Sequence, residues 1–168
     1  MSCRLPASSR LAGALACLAF TVALPSTALA QKDACLWKSA DLAKAFGMPF
    51  DSGKPEMGIG PACTYTGNGK TKLLLWVGFA PASGPFESMK FMIGPPKTEF
   101  VPVAGDADKA MMVTHTPNVP AFPHIAYMRG GQMVQVHLRG AELGTTAAER
   151  RKASDEYNKK LLALPRVP

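Results

Sequence analysis

His124-Ile-Ala-Tyr-Met-Arg-Gly-Gly-Gln-Met-Val-Gln-Val-His-Leu138 is the stretch on which the fold turns. Ile125 and Tyr127 alternate, as do Val134, Val136 and Leu138, and a period of two is that of a half-buried strand. Gly130-Gly131 between them suits a two-residue hairpin, a turn whose positive backbone angles glycine adopts without strain. Such a turn sets Ile125 against Val136 and Tyr127 against Val134 on one face. On the other face His124 meets His137 and Met128 meets Met133. The apolar face belongs to the core.

Upstream, Val101 and Val103 lead into a turn at Gly105-Asp106-Ala107-Asp108, followed by a strand over 110–115 and a Pro-rich loop from Thr116 to Pro123. Further back, Cys63-Thr-Tyr-Thr66 and Lys72–Phe79 flank Gly67-Asn68-Gly69, a second hairpin signal. The Gly- and Pro-rich run from Met48 to Ala62 reads as a loop. Three helices complete the chain. Ser39 caps the first, which runs to Phe46 and stops at Gly47. The second covers Phe86 to Ile93 and ends at Gly94-Pro95-Pro96. Thr146-Ala-Ala-Glu149 is a capping box opening the third, with a stripe of Ala153, Tyr157, Leu161 and Leu164 and a stop at Pro165. Helix, hairpin, helix, meander and helix make an α+β chain: an antiparallel sheet, hairpin plus meander, with three helices packed on it.

The 168 residues are 47% hydrophobic and 18% charged, too apolar for disorder. Arg4 and Arg10 precede an apolar run from Leu11 to Leu24, and Ala28-Leu29-Ala30 ends in a small-x-small triplet. That is the pattern of a secretory signal cleaved after Ala30. The run is shorter than the roughly 20 residues that cross a bilayer, and Pro25 breaks it, so a transmembrane span is not expected. Cleavage leaves 31–168 as a single domain and lowers the net charge from +7 to +5, since the leader holds two Arg and no acid. The expected location is periplasmic or secreted, which excludes nucleic acid as a partner. Cys3 and Cys17 leave with the leader, so Cys35 and Cys63 form a disulfide. Closing a loop of about 29 residues stabilises the fold by roughly 3 to 4 kcal/mol. A redox-active pair would need a Cys-x-x-Cys spacing that is absent.

Ala34-Cys35-Leu36, a helix ending Ala45-Phe46-Gly47, Cys63-Thr-Tyr65, Val103-Ala-Gly105-Asp106-Ala-Asp-Lys-Ala110, Arg129-Gly-Gly-Gln-Met-Val-Gln-Val136 and a last amphipathic helix together resemble a family of small exported bacterial proteins carrying a domain of unknown function. The resemblance covers about residues 34–164 and implies a compact α+β sandwich similar to the photosystem II PsbP-like domains. Many members are lipoproteins. This chain lacks a lipobox, and it has Trp37 where a second aliphatic residue stands in the family, so the lipid anchor does not carry over. The resemblance transfers no catalytic residue.

The chain has no Gly-x-Ser-x-Gly elbow, no His-Glu-x-x-His and no phosphate-binding Gly-rich loop, so no catalytic residue and no enzyme is expected. Asp106 and Asp108 lack the ligand spacing of a calcium loop and read as turn formers. All three histidines can be brought into one row. If the strand over 110–115 pairs so that His115 lies beside His124 and Met111 beside Met128, then His115, His124 and His137 line up across three strands. Imidazoles on adjacent strands suit copper or zinc, and thioethers suit Cu(I). Four residues along a strand is about 13 Å, so the Met row and the His row cannot share an ion. Arg150, Arg151 and Lys152 on the last helix could attract an anionic envelope ligand or an acidic protein surface. The sequence therefore leads to an exported, non-enzymatic binding or accessory protein, of inhibitor or immunity type in one form, with no cofactor. Its alternative is a periplasmic copper or zinc protein, and an envelope hydrolase assembled from distant residues is a third class.

Overall fold

A computed structural model describes residues 34–114 and 122–167. The expected leader, with cleavage expected after Ala30, and His115 lie outside the described residues. Seven antiparallel strands form one sheet in the order β1-β2-β3-β7-β6-β5-β4. They are β1 (Lys54–Met57), β2 (Pro61–Asn68), β3 (Lys72–Pro81), β4 (Glu99–Pro102), β5 (Met111–Thr114), β6 (His124–Arg129) and β7 (Gln132–Arg139). Three α-helices accompany them: α1 (Ser39–Phe46), α2 (Phe86–Met89), which continues as a 3-10 turn over Lys90–Met92, and α3 (Ala147–Leu162). Cys35 and Cys63 are joined by a disulfide, with Cα atoms 5.2 Å apart. The chain is α+β.

The β6–β7 hairpin has the expected register, with Ile125 opposite Val136, Tyr127 opposite Val134, His124 opposite His137 and Met128 opposite Met133. Gly130 and Gly131 turn the corner with φ of 58° and 73°, the left-handed region that side chains disfavour. The capping box of α3 also forms: Thr146 accepts from the Glu149 N–H, and the Glu149 carboxylate accepts from the Thr146 N–H.

Other elements depart from the sequence reading. Ser39 is the first residue of α1 and Lys38 occupies the cap position with no side-chain bond, so Ser39 caps nothing. The β2–β3 strands pair as far as Asn68 opposite Lys72, which moves the turn from Gly67-Asn68-Gly69 to 69–71. The stretch read as loop from Met48 to Ala62 contains β1, whose four residues are all exposed. An edge strand with a proline and no buried side chain leaves no alternation to read. The inward line of α3 is Ser154, Asn158 and Leu161, with Leu164 buried just after the helix, while Ala153 and Tyr157 are half-buried beside it.

The sheet has two faces with different cores. On the first, Cys63, Tyr65, Leu73, Leu75, Val77, Ile125, Tyr127, Val134, Val136 and Leu138 form one cluster with Leu42 and Phe46 of α1 and Leu161 of α3. On the second, Ala80, Val113, Ala126 and Met133 cluster with Phe86, Met89 and Ile93, and Met92, Phe100, Met111 and Met128 pack against them.

Candidate functional site

Strand alternation brings the chain's chemically distinctive side chains to the second face. Its end away from α2 carries a cross-strand row: Thr64 opposite Trp76, Trp76 opposite His137, and His137 opposite His124. Trp76 and His137 stack with ring centroids 4.6 Å apart and an interplanar angle of 15°. His124 meets His137 edge-on at 5.7 Å, and Phe122 stacks on His124 at 5.8 Å. His124 is buried, at 2% exposure, and Trp76 and His137 are half-buried. Trp76 leans along its own strand over Gly78, where a Cβ would fall 2.0 Å from the indole ring. A side chain at Gly78 would displace the ring, so glycine there lets the indole lie along the strand while it stacks on His137.

The expected histidine row is thus brought together in part. His124 and His137 pair as predicted, but β5 meets β6 in a register two residues from the expected one, with Met111 opposite Ala126 instead of Met128. The reason is local. The long connection between β5 and β6 does not impose a register as a two-residue turn does, so packing of Val113 and Met111 against α2 sets it. Among the described residues no three His, Cys, Asp or Glu side chains gather into a metal-binding group.

The methionine row lies on the same face as the imidazoles. Met128 and Met133 are a cross-strand pair four residues from His124 and His137, and Met111 sits diagonally from Met128. With Met89 and Met92 they bring five methionines into the cluster beneath α2.

The basic residues of α3 are largely engaged. The Arg150 guanidinium donates to the Thr145 carbonyl at 2.9 Å and Arg151 pairs with Glu99 of β4 at 3.1 Å, whereas Lys152 is exposed. Arg150 and Arg151 thus tie α3 to its own start and to the sheet edge, while Arg151 and Lys152 stay exposed on the helix surface.

A second polar grouping on the first face escapes sequence reasoning. Asp106 and Asp108 do shape their turn, since Asp106 accepts from the Asp108 and Ala110 N–H groups at 3.0 and 3.2 Å. Both carboxylates also take the Arg166 guanidinium, and Asp108 takes Arg129 at 3.1 Å. Burial pushes the Asp106 carboxyl up, but the Ala110 N–H and the Arg166 cation outweigh it and hold the group below the ordinary carboxylate value. Arg166 lies over the Tyr127 ring at 4.7 Å, and the Tyr127 hydroxyl accepts from the Val167 N–H at 3.3 Å. Burial raises the Tyr127 hydroxyl pKa. Trp37 donates its indole N–H to the Pro165 carbonyl at 2.8 Å and its backbone N–H to the Tyr65 hydroxyl at 3.0 Å. The segment 164–167 is thereby strapped to Trp37 ahead of α1, to the turn at 105–108 and to β6. No sequence signal marks it, because its partners are 60 and 128 residues away.

The chain matches no family model, no curated protein and no solved structure.

Proposed function

We propose that the protein is an exported, non-enzymatic binding or accessory protein of the bacterial envelope, acting in the periplasm or secreted medium after its leader is cut following Ala30. Its binding face is the second face of the sheet. The observation that carries this reading is the gathering of Trp76, His137, His124 and Phe122 in one strip on that face. Aromatic and imidazole rings combine large contact area with polar edges, a composition that binding surfaces favour. The first face also carries aromatic rings, but Trp37, Phe46, Phe50, Tyr65, Phe79 and Tyr127 are all buried there under α1, α3 and the strap, so they offer no edge to a partner. An inhibitor or immunity-type role against an envelope enzyme is one form of this function. The resemblance to small exported domains with a PsbP-like sandwich belongs to the same proposal.

Capture from envelope extract, with the wild type compared with Trp76→Ala and His137→Ala variants that keep the wild-type melting temperature, tests the reading. It expects a bound component that the variants lose. Capture that does not depend on either side chain overturns it.

A second reading, copper or zinc binding, is favoured by the cross-strand pair His124 and His137, whose rings lie 5.7 Å apart. Two imidazoles supply half of a four-coordinate set. His115 belongs to this proposal by sequence alone. Metal analysis after loading separates the readings: copper or zinc near one equivalent, lost on changing the three His to Ala, supports the second. Substoichiometric metal that those changes do not alter ends it.

A further inference from the structure

We infer that the methionine cluster beneath α2 is a Cu(I) site, with Met128, Met133 and Met111 as thioether ligands and Met92 at its edge. The residues are separate from the imidazole pair, so the inference does not rest on the histidines.

Four observations carry it. Nine methionines occur in the chain, and five of them, Met89, Met92, Met111, Met128 and Met133, share one cluster. The larger core on the other face, built of aliphatic and aromatic side chains, has only Met48 and Met112, both at its margin. Gap filling explains scattered methionines and gives no reason for so uneven a division. The register then makes three of these residues cross-strand neighbours. Met128 and Met133 are directly opposite, with Cβ atoms about 5 Å apart in such a pair, and Met111 is the diagonal neighbour of Met128, at about 7 to 8 Å. Flexible thioether side chains of three rotatable bonds close those gaps around an ion. The cluster also has a way in: Met133 is fully buried, while Met92, Met111 and Met128 are half-buried. Finally, the donor set is selective. Neutral thioethers are soft ligands that favour Cu(I) over zinc or calcium, and Cys35 and Cys63, the thiolate donors among the described residues, are consumed in the disulfide.

The test is a Cu(I) titration of the purified chain against bicinchoninate under anaerobic conditions, with any free thiols alkylated beforehand. One Cu(I) is expected to bind. A Met111→Leu, Met128→Leu, Met133→Leu triple variant, close in volume to the original, should lose affinity by about tenfold or more, and His124→Ala with His137→Ala should not. X-ray absorption on the wild-type copper form gives a readout that needs no variant: sulfur scatterers are expected in the first shell. Failure of the wild type to take up Cu(I), equal affinity in the triple Leu variant, or a shell of nitrogen and oxygen alone overturns the inference. The last result with histidine-dependent uptake would leave the imidazole reading standing by itself.

Discussion

One sheet presents two faces built from different chemistry. The first buries Leu73, Leu75, Val77, Val136 and Leu138 beneath α1 and α3, and is held by the Cys35–Cys63 bond and by the strap through Trp37, Tyr127 and Arg166. The second is covered at one end by a four-residue helix over methionines and ends in a strip of tryptophan and histidine. Branched aliphatic residues have few rotamers and specify a unique packing, whereas methionine adapts and imidazole binds. The staple and the strap concentrate stability on the first face, and the proposed binding sits on the second.

Removing the staple should produce the largest effect. Cys35→Ser with Cys63→Ser is expected to cost roughly 3 to 4 kcal/mol in denaturant unfolding, and Leu138→Ala about 3 kcal/mol. Next comes Asp106→Asn, which leaves Arg166 without its closest carboxylate. At neutral pH it should cost about 2 kcal/mol. Because the folded Asp106 carboxyl titrates below its unfolded value, its contribution is complete above the ordinary carboxylate range. It fades as pH falls through the folded value, so melting curves of wild type and variant should converge in acid. Parallel curves down to strong acid would remove the Asp106–Arg166 pair from the account.

On the second face a volume-conserving change in the adaptable methionine cluster should matter less to stability. Met133→Leu is volume-conserving and is expected to cost less than about 1.5 kcal/mol, although Met133 is fully buried. A loss as large as that of Leu138→Ala would erase the distinction between the faces. Within the first face, Asn158 is 1% exposed, and its side-chain amide has no hydrogen-bond partner among the described residues. Asn158→Leu should therefore leave the melting temperature unchanged or raise it. Smallest of all, Arg151→Ala removes an exposed ion pair to Glu99 and should shift stability by less than about 0.5 kcal/mol.

Much of the scaffold was legible because its signals are local. Gly130-Gly131 set the register of β6 on β7, and Thr146 with Glu149 marked the start of α3. That register also placed Met128 and Met133 on the face of His124 and His137. What escaped depends on distant partners. β1 is a strand only because β2 supplies its hydrogen bonds, and the β5–β6 register is chosen by packing under α2. Arg166 finds Asp106 across 60 residues of chain. The stack of Trp76 on His137 and the space at Gly78 follow from the pairing of β3 with β7, which local sequence does not encode.

The division between the faces is tested most directly by following the isotope-labelled methionine methyl signals while Cu(I) is added. The account predicts that Met111, Met128 and Met133 shift while Met48 and Met112, at the margin of the first-face core, stay in place. Equal shifts on both faces, or movement confined to Met48 and Met112, would contradict it.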